Sequence, residues 1–414
     1  MNLKCAPFAL PLLFTLFSSQ VAQAEAPYTR LQLEALAQES SRSIQAVRNQ
    51  VDAAKASVDT ASAFPNPELE YQKGDSRAKL PGAVAGNVKT YTLTQPIDLP
   101  GRRGARIAAA EAGLQSATAL GRSLEADIIA RLRLRYFEVL RRQAELKAAL
   151  EDQAQMEGVR DRIGLRVETG EAPRFELVKA DAEMLNSQKN AFTAELRVRQ
   201  SRAALRALVG PSLPEDFVLA GKLDDVAELT EIASLRKQIR ETNPDLLRAR
   251  AEQTRATKQL EYERAQRWPT LALRATREEE PELQTSRVGF VISIPIWDRR
   301  SGPVGEATAN LARANNELAH NEFALDRGIE VAYEQYQIAQ AQVAALESGI
   351  VRQAENAVRI AENAYRFGER GILEVIDAQR VYRAARSELI SARYEVAASW
   401  TEIERLRATL PTQP

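Results

Sequence analysis

One pattern of landmarks occurs twice in this chain, and it limits the fold more than any single residue does. Phe64-Pro65-Asn66-Pro67, a strand-like run and Gln95-Pro96-Ile97-Asp98-Leu99 are matched by Trp268-Pro269-Thr270 and Ile294-Pro295-Ile296-Trp297-Asp298. Further on, Gly170-Glu171-Ala172-Pro173-Arg174-Phe175-Glu176 is matched by Gly368-Glu369-Arg370-Gly371-Ile372-Leu373-Glu374. Counterparts lie 204 (269 − 65), 199 (295 − 96) and 198 (368 − 170) residues apart. A near-constant offset over three landmarks marks two copies of one unit. Each copy runs helix, strand, strand, very long helix, sharp turn, helix. The copies span about 29–209 and 230–410, joined by a linker at 210–229 that holds Pro211, Pro214 and Gly221. They make one domain, 25–414.

Residues 1–24 read as a secretory signal peptide rather than a frayed hydrophobic terminus. Lys4 supplies the positive start, Ala9 to Phe17 the short apolar core, and Ala22-Gln23-Ala24 the small-residue cleavage pattern before Glu25. The apolar run is too short to span a bilayer. Cys5, the only Cys, precedes that core, so the expected mature chain has no disulfide and no thiol metal site. No run of roughly 18 apolar residues follows, so no transmembrane helix is expected. The 56 Lys and Arg balance the 56 Asp and Glu, and the signs alternate along the helices. Without a basic stripe carrying interleaved aromatics, nucleic acid is not an expected partner.

Helix dominates the pattern. Thr29 to Ala63 reads as one helix, Gly104 to Val167 as a very long one, and Pro303 to Phe367 as its match. At 1.5 Å per residue each long helix reaches ~95 Å and must pack lengthwise against neighbours. Shorter helices follow at Phe175 to Leu208 and Ile372 to Leu410, and another runs from Leu235 to Arg267 with a break at Asn243-Pro244. Leu318, Leu325, Ala332, Ala339 and Leu346 fall seven apart, as do Ile329, Tyr336, Val343, Ile350, Ala357 and Ala364. The two series interleave as the seam of a left-handed coiled coil.

Between the helices lie two pairs of strand signals. Glu68 to Gln72 and Thr90 to Thr94 alternate, as do Leu271 to Thr276 and Val288 to Ile296. Segments of about ten residues with one apolar and one small or polar face fit a transmembrane β-barrel. Four strands cannot close one, because the minimum is about eight and open edges are not tolerated in lipid. Several chains must then share a barrel. Leu99 to Gly104 reads by itself as a tight turn with solvated arginines, and the acidic Glu278 to Glu282 as a soluble loop that could also favour released cations.

Catalytic chemistry is absent from the pattern. One His, His320, sits in a long helix and reads as a surface residue. One His and no mature Cys exclude Cys/His zinc sites and the common catalytic triads. No phosphate-cradling glycine loop occurs. The chain reads as no enzyme, with no cofactor and no resident metal. On charge pattern alone, Glu374 and Asp377, three apart on one helix face, read as a solvated face with paired charges.

Signal peptide, duplicated unit and turn motifs together resemble the outer membrane factor family, the TolC-like exit ducts of tripartite efflux and type I secretion. The likeness runs from about Tyr28 to Leu410 and is carried by Phe64-Pro65-Asn66-Pro67, Gln95-Pro96-Ile97, Trp268-Pro269, and Tyr365 with Gly368 followed by Glu374-Val375-Ile376-Asp377-Ala378-Gln379. Gln95 to Arg106, with its Gly-Arg-Arg run, is most similar to the CzcC-like heavy-metal branch. The resemblance implies a mainly α fold with a small β part. A homotrimer would build a periplasmic helical tunnel and a shared barrel in the Gram-negative outer membrane, four strands per chain and 12 in all. It also implies a passive exit duct, with divalent heavy-metal cations arriving from an inner-membrane pump of the resistance–nodulation–division (RND) type through a periplasmic adaptor. Gly170, Glu171, Gly368, Glu369 and Gly371 would form the adaptor-contact tips. Glu374 and Asp377 would form a carboxylate gate that Tyr365 and Arg370 lock. Multidrug efflux and type I secretion are alternatives within the class. A periplasmic coiled-coil scaffold or adaptor without a barrel is the alternative outside it.

Overall fold

The structure is a computed structural model that describes residues 27–408 except 78, 80, 83 and 228. The expected signal peptide and the end of the second copy at residue 410 lie outside the described residues. Among the described residues the chain folds as α1 (Arg30–Ser40), α2 (Arg42–Ser62), β1 (Glu68–Ser76), β2 (Gly86–Ile97), α3 (Pro100–Glu168) and α4 (Arg174–Val209). Then follow α5 (Ile232–Thr242), α6 (Pro244–Ala265), β3 (Thr270–Glu279), β4 (Gln284–Ser293), α7 (Ser301–Ala345), a π-turn (Leu346–Ile350), α8 (Val351–Arg366) and α9 (Ile372–Arg407).

The helices form where local chemistry starts and stops them. Thr29 and Gln32 close a capping box on α1, with the Thr29 amide donating to Gln32 Oε1 at 2.8 Å. The single helix expected over Thr29 to Ala63 is broken. Ser41 leaves helical geometry (φ −69, ψ 120) and ends α1 while starting α2. Two consecutive serines make this a weak point, and the Ser40 hydroxyl lies 2.8 Å from the Val209 carbonyl, tying the break to the end of α4. Asn243-Pro244 breaks α5 from α6 as the sequence indicates: Asn243 Oδ1 accepts from the Leu246 amide at 2.9 Å, and Pro244 takes the first helical turn.

The long helix α3 begins at Pro100, so the turn expected over Leu99 to Gly104 is already helical. Its arginines are not simply solvated. Arg103 donates to the Ser62 carbonyl at 2.7 Å and lies 4.5 Å over the Phe64 ring. Arg106 donates to the Ala61 carbonyl at 2.8 Å and pairs with Asp98 at 2.6 Å. These two side chains satisfy orphan carbonyls at the end of α2 and clamp the passage from sheet to helix.

The π-turn corrects the coiled-coil seam. Leu325, Ile329, Ala332, Tyr336, Ala339 and Leu346 are buried as the heptads require, and Val343 is half-buried. At the end of the π-turn and beyond it, Ile350 and Ala357 are exposed, and the inward side passes to Val351, Ala354, Val358, Ala361 and Tyr365. The wider turn holds one extra residue, so the seam slips by one position.

The larger core gathers α1, the middle of α3, the ends of α4 and α9, α5 and α7 around Phe137, Phe217, Leu132, Leu205, Leu213 and Trp400. Arg133 reaches into it as a fork on buried Glu34, Nε to Oε1 at 2.7 Å and Nη2 to Oε2 at 2.9 Å. Arg405 joins α9 to Asp127 of α3 at 3.2 Å and Asp245 of α6 at 3.3 Å. Tyr28 pairs with Leu219, which ties the start of the chain to the segment between α4 and α5. A smaller core of Met156, Val159, Ile163, Ala180, Ile372, Val375 and Ile376 lies at the far end of the long helices.

Candidate functional site

Two regions can do the work of a channel: the sheet at one end of the molecule and the pair of turns at the other. The sheet has order β1-β2-β3-β4, all antiparallel. Its strands of 9 to 12 residues match the span of a membrane β-strand. The first three run longer than the alternating cores seen in sequence, whereas β4 starts earlier and ends at Ser293, leaving Ile294 to Ile296 outside the strand. The expected acidic loop is reduced, because Glu278 and Glu279 belong to β3, where they pair with Arg287 at 3.3 Å and Arg277 at 3.0 Å.

Register sorts the side chains into two faces. Leu69 pairs with Leu93, Leu93 with Ala275, and Ala275 with Val288. Tyr71 pairs with Tyr91, while Ile97 pairs with Leu271 and Leu271 with Ile292. Cross-strand partners share a face, so the rows nearer the helices make one face largely apolar, Phe290 and Leu273 included, while towards the strand-connecting loops the same face carries Arg277, Lys73, Lys89 and Glu279. Leu69, Val288, Phe290 and Ile292 are exposed on it. The opposite face carries Glu68, Thr94 and Arg274 in one row and Glu70, Thr92, Thr276 and Arg287 in the next. Apolar on one side, charged on the other, and unpaired along β1 and β4, the sheet is a piece of barrel wall rather than a closed structure. No described helix is long and apolar enough to cross a membrane.

At the other end, α3 turns into α4 and α8 into α9 by the same device. Gly170 (φ 80) and Gly368 (φ 74) adopt the left-handed conformation that only glycine takes without strain. The amides beyond them close back on the helices: Glu171 on Arg166 O at 2.7 Å, and Glu369 on Ala364 O at 2.9 Å. With the 3.2 Å and 3.1 Å bonds of the glycine amides to Val167 O and Tyr365 O, both ends are Schellman motifs. Gly371 is extended (φ −80) and caps α9 without a side chain.

The remaining tip residues divide into two groups. Tyr365 crosses between the two hairpins and donates to Glu176 Oε2 at 3.1 Å. Its ring lies 4.8 Å beneath the Arg166 guanidinium. Burial, then the Glu176 hydrogen bond and charge, push the phenol above its ordinary value of 10.0, against the pull of Arg166. Arg370 stays within its own turn and pairs with Glu374 at 3.0 Å. Asp377 is exposed and pairs with no described residue. Glu374 and Asp377 therefore share a face of α9, but only Glu374 meets one of the two expected locking residues.

Sequence reasoning missed the partners of this contact and the ion pairs above it. Arg380 and Arg383 of α9 both meet Glu183 of α4, Arg383 at 3.6 Å, and Arg386 meets Glu151 and, at 4.0 Å, Asp152 of α3. Burial raises Asp152 above the usual carboxylate value despite Arg383 and Arg386 beside it. The regular spacing of three arginines on α9 was the one visible signal. Their acidic partners lie about two hundred residues earlier, 197 for the Arg380–Glu183 pair. Among the described residues, no cluster of His, Cys, Asp and Glu is arranged to hold a metal ion.

A four-stranded piece of barrel wall joined to helical hairpins whose long arms reach ~100 Å defines a TolC-like outer membrane channel chain. Residues 33–211 and 235–409 match the family described as outer membrane efflux protein, and the chain belongs to that family. Cobalt-zinc-cadmium resistance protein CzcC of Cupriavidus metallidurans is 28% identical over 386 residues, 93% of this chain and 91% of that protein. Nickel-cobalt-cadmium resistance protein NccC of Alcaligenes xylosoxydans xylosoxydans is 26% identical over 330 residues, covering 77% and 72%. Among solved structures, outer membrane protein VceC from Vibrio cholerae superposes with a TM-score of 0.76 at 18% identity, over 92% of this chain and 96% of that one. The protein is an outer membrane efflux channel of the CzcC and TolC type that extends into the periplasm. It is a passive conduit and not an enzyme.

Proposed function

We propose that this chain is the exit duct of a tripartite efflux system for divalent heavy-metal cations. The observation that carries the reading is the sheet, with an apolar face, a charged face and two open edges. Open edges in lipid demand partners, and a homotrimer supplies them: three sheets of four strands close a 12-stranded barrel. Exposed apolar stripes on α4 (Val178, Leu185, Phe192) and α7 (Val331, Ile338) support the same assembly along the tunnel. The single domain of two copies joined at 210–229 gives each protomer two hairpins for the tunnel wall.

The tips around Gly170, Glu171, Gly368, Glu369 and Gly371 meet a periplasmic adaptor, which couples the duct to an inner-membrane RND pump. Glu374 and Asp377 form the constriction, where like charges from three chains favour cations. Tyr365 and Arg370 hold it closed. The metal assignment draws on the cobalt, zinc and cadmium named for CzcC, and on nickel for NccC.

The test is growth of a deletion strain on zinc, cobalt, cadmium, nickel and copper salts beside hydrophobic drugs and detergents. Sensitivity confined to one or two metals is expected. Sensitivity to drugs with metals unaffected would replace the metal reading with multidrug efflux. For the gate, E374A/D377A should lower cation selectivity and change single-channel conductance in planar bilayers, and unaltered values would remove the two carboxylates from the constriction.

A further inference from the structure

Both passages from sheet to long helix carry two consecutive arginines, and in each pair the second is firmly held while the first meets no carboxylate among the described residues. At the first, Arg103 is held by the Ser62 carbonyl at 2.7 Å and the Phe64 ring, while Arg102 meets no carboxylate among the described residues. At the second, Arg300 pairs with Glu263, while among the described residues Arg299 reaches only the Ile296 carbonyl at 3.4 Å. A third free cation, Arg267, is exposed between α6 and Trp268. Two nearby acids are paired elsewhere: Asp98 with Arg106 at 2.6 Å and Glu263 with Arg300. Asp298 accepts the Arg300 amide at 2.8 Å and meets no guanidinium among the described residues. Glu68 belongs to the opposite, polar face.

The same end of the sheet exposes large rings. Phe64, Trp268 and Trp297 are 71%, 70% and 96% exposed. Register puts Ile97, Leu271 and Ile292 in one row at this end of the apolar face, and the rings and the three arginines lie within a few residues of the strand ends along the chain. A band of apolar strand residues ends, therefore, in aromatic rings and guanidinium groups that no described carboxylate holds.

We propose that this periplasmic end of the barrel binds the phosphate groups of anionic phospholipids through Arg102, Arg267 and Arg299, with Phe64, Trp268 and Trp297 seated among the headgroups. The inference rests on reading the sheet as barrel wall. The indoles of Trp268 and Trp297, apolar in body with one N–H, favour the membrane interface, and Phe64 adds an aromatic ring of the kind that girdles such barrels. Guanidinium forks match phosphate oxygens, and each unmatched cation near an anionic leaflet adds to the attraction. The arrangement occurs at both passages although their sequences differ, Pro100-Gly101-Arg102-Arg103-Gly104 against Asp298-Arg299-Arg300-Ser301-Gly302.

The experiment uses the purified mature protein, comparing wild type with R102Q/R267Q/R299Q. Native mass spectrometry counts retained lipid, and a melting curve follows assembly with phosphatidylglycerol, cardiolipin, phosphatidylcholine or inorganic phosphate added. Wild type should retain phosphatidylglycerol over phosphatidylcholine, and the triple variant should bind it on the order of a hundredfold more weakly per chain. Conductance should be unchanged. Should the triple variant fail to assemble, R102Q, R267Q and R299Q separately should each lose roughly fivefold. Equal retention of the two lipids by wild type, undiminished preference in the variants, or the same stabilisation by inorganic phosphate alone would overturn the proposal. Each preparation is also tested for assembly and conductance. A conducting assembly without lipid preference defeats the lipid belt alone, whereas a wild type that neither assembles nor conducts defeats the barrel reading beneath it.

Discussion

Glu176 and Glu374 hold matching positions in the two turns, 198 residues apart, yet they bond differently. Glu176 accepts from Tyr365 of the other hairpin at 3.1 Å, whereas Glu374 is taken by Arg370 of its own turn at 3.0 Å. The position matching Tyr365 is Val167 and that matching Arg370 is Ala172, so neither contact can be repeated at the other tip. Tyr365→Phe removes one hydrogen bond to a charged acceptor at a half-exposed site, worth about 1 kcal/mol. Open events in planar bilayers should rise several-fold with little change in melting temperature, and an unchanged open probability would free Tyr365 of a locking role. The contact also has a pH window. Because the folded phenol titrates above 10.0, the stabilisation is complete below that value and is lost as pH rises through the raised one. The extra opening of Y365F should therefore be the same at pH 6 and pH 8, and should fade only in strong alkali.

At the scale of elements, the π-turn decides how α7 hands over to α8. Heptads written through Leu346 predict Ile350 and Ala357 on the inside, but both are exposed and Ala354 is buried instead. One extra residue in the turn accounts for the slip. Deleting Gly349, which has open space around its Cα, should convert the π-turn to α-helix and leave every seam residue on its present face. Thermal stability should fall by less than about 1 kcal/mol. Deleting exposed Glu334, between buried Ala332 and Tyr336, shortens the helix equally but turns half the seam outward. That variant should lose several kcal/mol. Equal melting temperatures for the two deletions would show that the π-turn does not set the seam.

At the scale of the whole molecule, the open edges of β1 and β4 and the uncovered stripes on α4 and α7 call for the same partner, a second copy. Leu185 and Phe192 are each 61% exposed and belong to no core of their own chain. L185E/F192E should leave helix content intact and abolish the proposed trimer, read as intact-complex mass in detergent. A trimer of unchanged stability would place the subunit contact elsewhere.

Much of the fold was legible because its determinants are local. Seven-residue spacing marks a helix, alternation marks a strand, and glycine before a charged turn marks a reversal. Each is written within a few neighbours, and Asn243-Pro244 shows how directly such a signal becomes a cap. The break at Ser41 and the helical start at Pro100 were not legible, because distant carbonyls at Val209 and Ser62 take part in them. The tip followed the same division. Its glycines and carboxylates stood out in the sequence, but the Tyr365–Glu176 bond spans 189 residues and the Arg380–Glu183 pair 197. The sequence by itself determined the elements, their order and the two-faced strands, since those depend on neighbours along the chain. Only the tertiary structure decided which charges meet across hairpins and where the seam slips, since those depend on neighbours in space.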